Sequence, residues 1–147
     1  MANVYDVARY VLRLAGEEDA LPLTTWKLQK LVYYSQAWSL VWDDAPLFDE
    51  RIEAWANGPV CPELYEVHRG QFKISDISRG DLRMLTRVQR DTIKTVYKHY
   101  GKKSAQYLSE LTHQERPWIE ARAGLNPGDR GNHVIAIASM AEYYGGL

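Results

Sequence analysis

Hydrophobic residues recur every three or four positions along most of this chain, and that spacing predicts a mainly helical protein. In the first segment, Asn3 and Asp6 form a capping-box pattern directly before the apolar positions begin. The pattern predicts a helix from Val4 to about Leu14, because the polar residues that follow, from Gly16 to Asp19, interrupt the spacing.

A second, longer helix is predicted where the Thr24–Thr25 pair opens the segment TWKLQKLVYYSQAWSLVW. Its buried side is expected at Leu28, Leu31, Val32, Ser35 and Trp38. Its polar residues are interpreted as surface positions, namely Lys27, Gln29, Lys30 and Gln36. The sequence therefore indicates a helix that packs along one face.

Extended structure is expected only between the second helix and Pro62, where turn-forming residues concentrate. Ile52–Trp55 alternates weakly between apolar and polar residues, so at most one short strand pair is predicted, near residues 47–56. Gly58 and Pro59 favour a tight, rigid connection from there to a helix that begins at Pro62.

The second half of the chain contains further helix starts. Thr86 and Gln89 form another capping-box pattern, for a helix that ends near Tyr100. Shorter helices are predicted to begin after Ser104, at Pro117 and after Asn132. The whole pattern predicts a compact, single-domain helical bundle of six to seven helices over residues 1–147.

The composition is typical of a globular protein, with 46% hydrophobic and 25% charged residues in 147. The single cysteine cannot form an internal disulfide, which suits a reducing compartment. The first residues have no uninterrupted apolar run, so neither a signal peptide nor a membrane span is expected. We therefore expect a cytoplasmic protein without a membrane partner.

The net charge of −1 conceals an uneven distribution along the chain. Residues 1–66 contain 5 basic and 11 acidic residues, a net charge of −6. Residues 81–103 contain 7 basic and 2 acidic residues, a net charge of +5. This asymmetry indicates an oriented electrostatic surface, whereas nucleic-acid binding is typical of proteins with a strongly basic overall balance.

The basic segment contains a one-sided pattern that we call the basic stripe. If residues 83–100 are helical, its five cations fall within an arc of roughly 80°. The basic stripe consists of Arg83, Arg87, Arg90, Lys94 and Lys98. It is either a solvated polar face or a docking surface for an acidic partner or a phosphate backbone.

No pattern of catalytic or metal-binding residues is found in the sequence. Cys61 is the only cysteine, and the four histidines are too far apart in sequence to give the spacing of a zinc site. Phosphate-binding glycine motifs and nucleophile motifs do not occur either. We interpret Cys61 as a small buried hydrophobic residue and expect no metal, no cofactor and no catalytic residue.

Three segments occur in an order that is specific as a set. They are KLQKLVYYSQAW (Lys27–Trp38), PLFDERIEAWANGPVCPELY (Pro46–Tyr65) and LSELTHQERPWIEAR (Leu108–Arg122). With these segments the chain resembles the Panacea domain family of SocA-like, phage-associated antitoxins. The resemblance covers essentially the whole chain.

The resemblance implies a function in binding and supplies no catalytic residue. It implies an antitoxin of a toxin–antitoxin system, which neutralises a cognate protein toxin, encoded by a neighbouring gene, through direct protein–protein contact. The partner-binding residues are then expected in the basic stripe and at Trp55 and Tyr65. These two aromatic residues either shape a groove or only fix the turn around Gly58.

Three other functions stay open on the sequence alone. The protein could be an adaptor that delivers the toxin to a protease, with the acidic half as its second face. It could be an enzyme that reverses the toxin's modification, with His68 or His113 as the acid and base. It could also bind operator DNA through the basic stripe.

Overall fold

The computed structural model describes all 147 residues and contains seven α-helices and two short antiparallel strand pairs. The helices are α1 (Val4–Glu17), α2 (Thr25–Trp42), α3 (Pro62–His68), α4 (Arg87–Tyr100), α5 (Ala105–His113), α6 (Arg116–Ala121) and α7 (Ile137–Gly145). The strands are β1 (Leu23–Thr24), β2 (Glu53–Trp55), β3 (Gly58–Val60) and β4 (Lys73–Ile74). The predicted mainly helical fold with six to seven helices is confirmed.

Helix α2 is the centre of the fold, because α1, α4, α5, α7 and strand β3 all pack around it. Surrounded on nearly every side, it buries polar residues as well as apolar ones. Gln29, Lys30 and Gln36 are each only 1% exposed, so their interpretation as surface residues is wrong. A helix enclosed on all sides has no polar face, and residue type alone therefore misplaces these three side chains.

Local capping signals predict the starts of two helices correctly. The Asn3 side chain accepts a hydrogen bond from the Asp6 N–H (3.0 Å), and the Asp6 carboxylate accepts one from the Asn3 N–H (2.9 Å). Helix α1 begins at Val4 as predicted and runs further than expected, to Glu17. The second predicted capping box is present at the start of α4.

Strands β2 and β3 form a hairpin over residues 53–60, so a short strand pair is present as predicted, although it lies further along the chain than the predicted residues 47–56. Trp55 pairs with Gly58 at the turn, so Gly58–Val60 is itself a strand where only a connection is predicted. The hairpin packs on α2 and α5. The second pair places Leu23 opposite Ile74, and no local pattern predicts this pairing because it joins distant parts of the chain.

The chain is extended for a few residues before the last helix begins. Main-chain hydrogen bonds of 2.8 Å join Ala54 to His133 and Ile52 to Ile135, so this segment runs beside β2. Helix α7 consequently begins at Ile137. The sequence predicts that it begins directly after the glycine-rich loop, following Asn132, and this prediction is wrong. The same contacts bring that loop close to the hairpin.

One hydrophobic cluster of 36 buried residues includes side chains from all seven helices. Tyr33, Tyr34 and Tyr144 are among its largest fully buried side chains, so much of the aromatic content forms core. None of the helices combines the length and the hydrophobicity that crossing a bilayer needs.

Candidate functional site

The start of α3 is tied to α2 through the side-chain amide of Gln29. Gln29 Oε1 accepts a hydrogen bond from the Cys61 N–H (2.9 Å), and Gln29 Nε2 donates to Cys61 O (3.3 Å). Gln29 Nε2 also lies 2.9 Å from His68 Nε2. Cys61 is the N-cap residue of α3 and makes no side-chain cap, so Gln29 instead fixes the chain where this helix begins.

The β2–β3 hairpin is also held by the segment that contains α5 and α6. Trp118 Nε1 donates a hydrogen bond to Trp55 O (2.9 Å), and Ser109 Oγ donates to Asn57 O (2.7 Å). The ring of His113 stacks on that of Trp118 with centroids 4.0 Å apart. The three segments that carry the family resemblance therefore meet around one hairpin.

Lys30 lies directly against this hairpin, next to Gly58. A Cβ atom on Gly58 would come within 2.5 Å of Lys30 Cε and 3.2 Å of Lys30 Nζ. Gly58 also has a φ of +130°, which other residues rarely adopt, so both the space and the backbone require glycine here. Burial lowers the pKa of Lys30 to about 8, and its ammonium group forms no ion pair with any carboxylate.

A cleft of about 630 Å³ opens beside the hairpin, and we call it the tryptophan cleft. Lys30 Nζ lies 5.5 Å from the centre of the Trp26 ring, which forms part of its wall. The carboxylate of Glu53 accepts hydrogen bonds from Arg51 Nε (2.8 Å) and Trp55 Nε1 (2.9 Å), so its charge is already compensated. The cleft is lined by Trp26, Glu53, Trp55, Ala56, Asn57, Arg130, Gly131 and Asn132.

One wall of the tryptophan cleft is a loop that the buried Arg122 holds in place. Its guanidinium donates hydrogen bonds to Ala54 O (3.0 Å), Asn126 O (3.2 Å) and Asp129 O (2.6 Å). Gly131 lies close to it, since a Cβ atom there would come within 2.7 Å of Arg122 Nη1. Arg122 thereby fastens the loop to β2, a role that no sequence pattern predicts.

Trp26 lines both the tryptophan cleft and a smaller cleft of about 260 Å³. Tyr65 and Phe72 line the smaller cleft, and Phe72 is 68% exposed. The rings of Trp55 and Tyr65 meet edge to face with centroids 5.0 Å apart. The structure thus brings the two predicted aromatic residues together and adds Trp26, whose only sequence signal is its position beside the first resemblance segment.

Three of the five predicted cations are exposed on α4. We call Arg87, Lys94 and Lys98 the α4 cation row. Two members of the row, Lys94 and Lys98, border another cleft of about 830 Å³. Its other charged lining residues are Lys27, Lys102, Glu17 and Glu18.

The five predicted cations do not all lie on one exposed face of α4, because Arg83 lies before the helix and Arg90 is half-buried. Arg83 lies in a short 3₁₀ turn before α4 and donates hydrogen bonds of 3.0 and 3.1 Å to the Asp81 carboxylate. Arg90 is half-buried, and its Nη2 donates to Leu82 O (2.9 Å). The reason is local, because Thr86 caps α4 and leaves Arg83 outside the helix.

A second buried charge, Glu115, is surrounded by tyrosine hydroxyls. Tyr34 and Tyr144 donate hydrogen bonds to Glu115 Oε1 at 2.7 and 2.8 Å, and the Tyr33 hydroxyl lies 3.0 Å from that of Tyr144. Burial raises the pKa of Glu115, and the two hydrogen bonds partly oppose that shift. The tyrosine pair of the first resemblance segment is therefore part of the core.

The surroundings of the Cys61 thiol and of the His68 and His113 rings indicate structural roles for these three side chains. Burial raises the pKa of the Cys61 thiol to about 11, which keeps it protonated at neutral pH. Burial lowers the pKa of His68, whose ring contacts Gln29. Burial, together with the nearby charge of Lys30, lowers the pKa of His113, and His113 Nε2 is enclosed without a hydrogen-bond partner.

A comparison with protein-family models matches residues 28–119 to the antitoxin SocA-like family, Panacea domain. The chain belongs to this antitoxin family. The resemblance to this family is thereby confirmed over residues 28–119, whereas the sequence analysis extends it to essentially the whole chain. The matched Panacea segment contains Lys30, the whole β2–β3 hairpin and Trp118. Arg122 and the loop it holds lie after the matched segment. No curated protein and no solved structure matches the chain.

Proposed function

We propose that this protein is an antitoxin that neutralises a cognate protein toxin by binding it directly. The observation that carries the proposal is the Panacea domain match over residues 28–119, which is a match to a family of antitoxins. We further propose that the toxin is the product of a neighbouring gene and that both proteins act in the cytoplasm.

The tryptophan cleft is the surface that we assign to the toxin. Trp26 and Trp55 line this cleft and are only partly buried, so they offer aromatic surface to a partner. Tyr65 is also partly buried and lines the smaller cleft that shares Trp26. Partly exposed tryptophan and tyrosine residues around a concave site are the usual anchors of protein interfaces, because they bury a large area at a small cost in side-chain entropy. The hairpin that presents Trp55 is fixed from two sides, which favours binding without rearrangement.

The α4 cation row is assigned a second task, the steering of an acidic toxin surface. Exposed charges that keep water contact contribute more to the rate of association and to partner choice than to affinity. The position of Lys94 and Lys98 beside a cleft supports this task, because charge is concentrated where a partner can approach closely.

Binding, without catalysis, is the activity that we propose. His68 contacts the Gln29 amide, and the His113 ring is stacked on Trp118. These contacts give both side chains a packing role, which supports a binding protein over an enzyme that reverses the toxin's modification.

Co-expression with the product of the neighbouring gene tests the proposal. We expect that product to arrest growth when expressed alone, to be harmless with this protein, and to co-purify with it as a stable complex. A neighbour that is harmless alone and forms no complex contradicts the proposal. An enzymatic antitoxin would protect without a stable complex, which is a different outcome.

Two sets of variants assign the surfaces. Trp26→Ala is expected to weaken toxin binding by about 30-fold, as for an interface hot spot. Trp42→Ala removes a tryptophan that is 49% exposed elsewhere on α2, and it is the matched control. The double variant Arg87→Glu with Lys94→Glu is expected to slow association, most strongly at low salt. Its control, Arg79→Glu with Arg116→Glu, changes the net charge equally at other exposed positions.

A further inference from the structure

Four lysines surround the cleft of about 830 Å³ beside α4, which we call the lysine cleft. It lies where the end of α1, the first turn of α2 and the second half of α4 meet, because these three helices pack on one another. Leu14, Ala20 and Tyr97 add apolar surface to its lining. Its cations are Lys27, Lys94, Lys98 and Lys102. Two of them, Lys27 and Lys102, lie outside the α4 cation row.

The ammonium groups of the lysine cleft are not paired within the protein. None of them takes part in an ion pair, and the carboxylate of Glu17, which also lines the cleft, lies 3.7 Å from Arg13 Nε instead. With Glu18 as the other acidic residue, the lining keeps a net charge of +2. Like charges around one concave site repel one another and raise the free energy of the unbound protein. Carboxylates bound between them would remove that repulsion.

Lys27 is the most enclosed of the four cations. It is half-buried, whereas the other three are exposed, and burial lowers its pKa. Its ammonium group has therefore already lost part of its hydration when the protein folds. An anion at Lys27 meets a cation around which fewer water molecules compete.

The first turn of α2 connects the lysine cleft with the tryptophan cleft. Trp26 lines the tryptophan cleft, and Lys27, the next residue, lines the lysine cleft. Consecutive Cα atoms lie about 3.8 Å apart, so the two clefts adjoin at this turn. A protein partner of standard size covers about 800 Å² of the surface it binds, which is enough to reach from one cleft into the other.

The two glutamates of the lysine cleft favour a peptide over a nucleic acid. A nucleic-acid strand carries a phosphate at every nucleotide, so it would bring negative charge close to Glu17 and Glu18 as well as to the lysines. A peptide carries its carboxylates only at particular residues and can place a neutral or basic residue opposite the glutamates. An acidic peptide segment is therefore the better complement to this mixed lining.

We propose that the lysine cleft binds an acidic segment of the toxin, whose aspartate and glutamate side chains contact its four ammonium groups. The proposal rests on the proposed function and deepens it, because it gives the steering charges of α4 a binding site and adds Lys27 and Lys102 to them. A single exposed pair of opposite charges contributes little, so the affinity comes from several pairs that form together.

Three probes of matched size test which anion the lysine cleft takes. Acetyl-Gly-Asp-Glu-Asp-Glu-Gly amide carries four carboxylates, acetyl-Gly-Asn-Gln-Asn-Gln-Gly amide carries none, and a thymidine pentanucleotide without terminal phosphates carries four phosphodiesters. Each is titrated into the full chain at low ionic strength while the backbone amides of Lys27, Lys98 and Gly101 are followed by NMR. We expect saturable shifts with the acidic peptide and weaker binding of the other two. Binding of either of them as tight as that of the acidic peptide, or no saturable shift with the acidic peptide, overturns the proposal.

Two double variants connect the acidic peptide to the lysine cleft. Lys27→Gln with Lys102→Gln removes the two cations outside the α4 cation row and is expected to weaken peptide binding by about fivefold, the loss of two modest ion pairs. Lys73→Gln with Arg116→Gln removes equal charge at exposed positions that do not line the cleft, and it is expected to leave binding unchanged. Equal losses in the two double variants, or no loss in the first, overturn the proposal.

A third double variant keeps the test decisive if the half-buried Lys27 is needed for folding. Lys98→Gln with Lys102→Gln changes only exposed residues of the cleft and is expected to cause a similar loss of peptide binding. Unchanged peptide binding in this variant overturns the proposal.

Capture of the toxin is measured separately, with the parent protein and with the variants of the lysine cleft. We expect the variants to capture the toxin more weakly than the parent protein does. Capture that is equally tight in the variants rejects the lysine cleft and leaves the antitoxin function standing. Failure of the parent protein to capture the toxin contradicts the antitoxin function, and with it the toxin as the occupant of the cleft.

Discussion

Two buried charged residues, Lys30 and Glu115, differ in their hydrogen-bond partners. Glu115 accepts hydrogen bonds from Tyr34 and Tyr144 at 2.7 and 2.8 Å, so tyrosine hydroxyls replace the water that its carboxylate loses. Lys30 is 1% exposed, yet its ammonium group has neither an ion pair nor a hydrogen-bond partner. Its Nζ lies 5.5 Å from the centre of the Trp26 ring and close to Gly58 and His113.

The comparison separates a buried charge that holds the fold together through hydrogen bonds from a buried charge whose hydrogen-bond donors are unused. A buried ion that is fully hydrogen-bonded holds its partners in a fixed geometry, and removing it leaves those partners unsatisfied. A buried ion without a partner lowers the stability of the free protein, because its desolvation is not offset. Stability is commonly lost in this way where a side chain serves binding. The Glu115 cluster therefore maintains the core, whereas the charge of Lys30 is one that the fold buries without a hydrogen-bond partner.

The largest effect is expected from Glu115→Ala, which removes the acceptor of two buried hydroxyls. We expect the free energy of unfolding at neutral pH to fall by about 4 kcal/mol, since both tyrosines lose a charged acceptor and a cavity remains. Chemical denaturation measures this loss. Glu110→Ala removes an exposed carboxylate from α5 and is expected to change stability by less than about 0.5 kcal/mol. A Glu115→Ala variant as stable as that control contradicts a structural role for Glu115.

The opposite sign is expected from Lys30→Met, which removes a buried charge without leaving an unsatisfied partner. Folding lowers the pKa of Lys30 from 10.5 to about 8, so below pH 8 both the folded and the unfolded chain carry the proton, and the folded state bears the full desolvation cost. That cost is roughly 3 kcal/mol. Between pH 8 and 10.5 the unfolded chain binds more protons, so the stability of the parent protein rises with pH.

The difference in unfolding free energy between Lys30→Met and the parent protein measures this effect over the same pH range. Lys30→Met is expected to be the more stable protein at pH 7, and its advantage is expected to shrink as the pH rises through the window from 8 to 10.5. Titrating tyrosines and Cys61 affect both proteins alike and cancel in the difference. A difference that does not change with pH would show that Lys30 is compensated after all.

The same contrast explains what the sequence could predict. Helix starts depend on residues that are close in sequence, so the capping boxes at Asn3 and Thr86 correctly predict the first residues of α1 and α4. Pairings between distant segments, such as Leu23 with Ile74, have no such local signature. The extended segment that leads into α7 also lacks a local signature, because its hydrogen bonds are made to Ala54 and Ile52.

The sequence predicts only some of the residues of the candidate site. Trp55 and Tyr65 stand out as aromatic residues near a rigid turn, and the structure places their rings in contact. Residue type places Lys30 at the surface, because a lysine is seldom buried without a partner, and only the tertiary packing around α2 shows otherwise. Helical spacing that is extended before Thr86 places Arg83 on α4, although the cap at Thr86 excludes it.

A moderate effect is expected from Tyr144→Phe, which removes one hydroxyl from the Glu115 cluster and keeps the ring. The variant loses the 2.8 Å hydrogen bond to Glu115 and the contact with Tyr33, so we expect a loss of about 1.5 kcal/mol in unfolding free energy. The pKa of Glu115 is expected to rise further, because one of the two bonds that oppose burial is gone. NMR titration of the Glu115 carboxyl measures that shift. Tyr143→Phe, whose hydroxyl forms no hydrogen bond, is the control and is expected to change neither quantity measurably.

The smallest effect is expected from Trp26→Leu. This variant tests whether the aromatic ring offsets part of the free-energy cost of burying the charge of Lys30. At 5.5 Å from the ring centre, a cation–π contact contributes about 0.5–1 kcal/mol when the lysine is charged. This contribution stabilises the charged folded state, so it is present below pH 8 and is lost as the pH rises through the folded-state pKa. A double-mutant cycle of Trp26→Leu with Lys30→Met isolates it from the packing that both variants change. A coupling energy that is measurable at pH 7 and absent at pH 10 confirms that the Trp26 ring interacts with the charged form of Lys30. A coupling of the same size at both pH values would mean that the two side chains interact through packing alone, and that the buried ammonium group lacks even this partner.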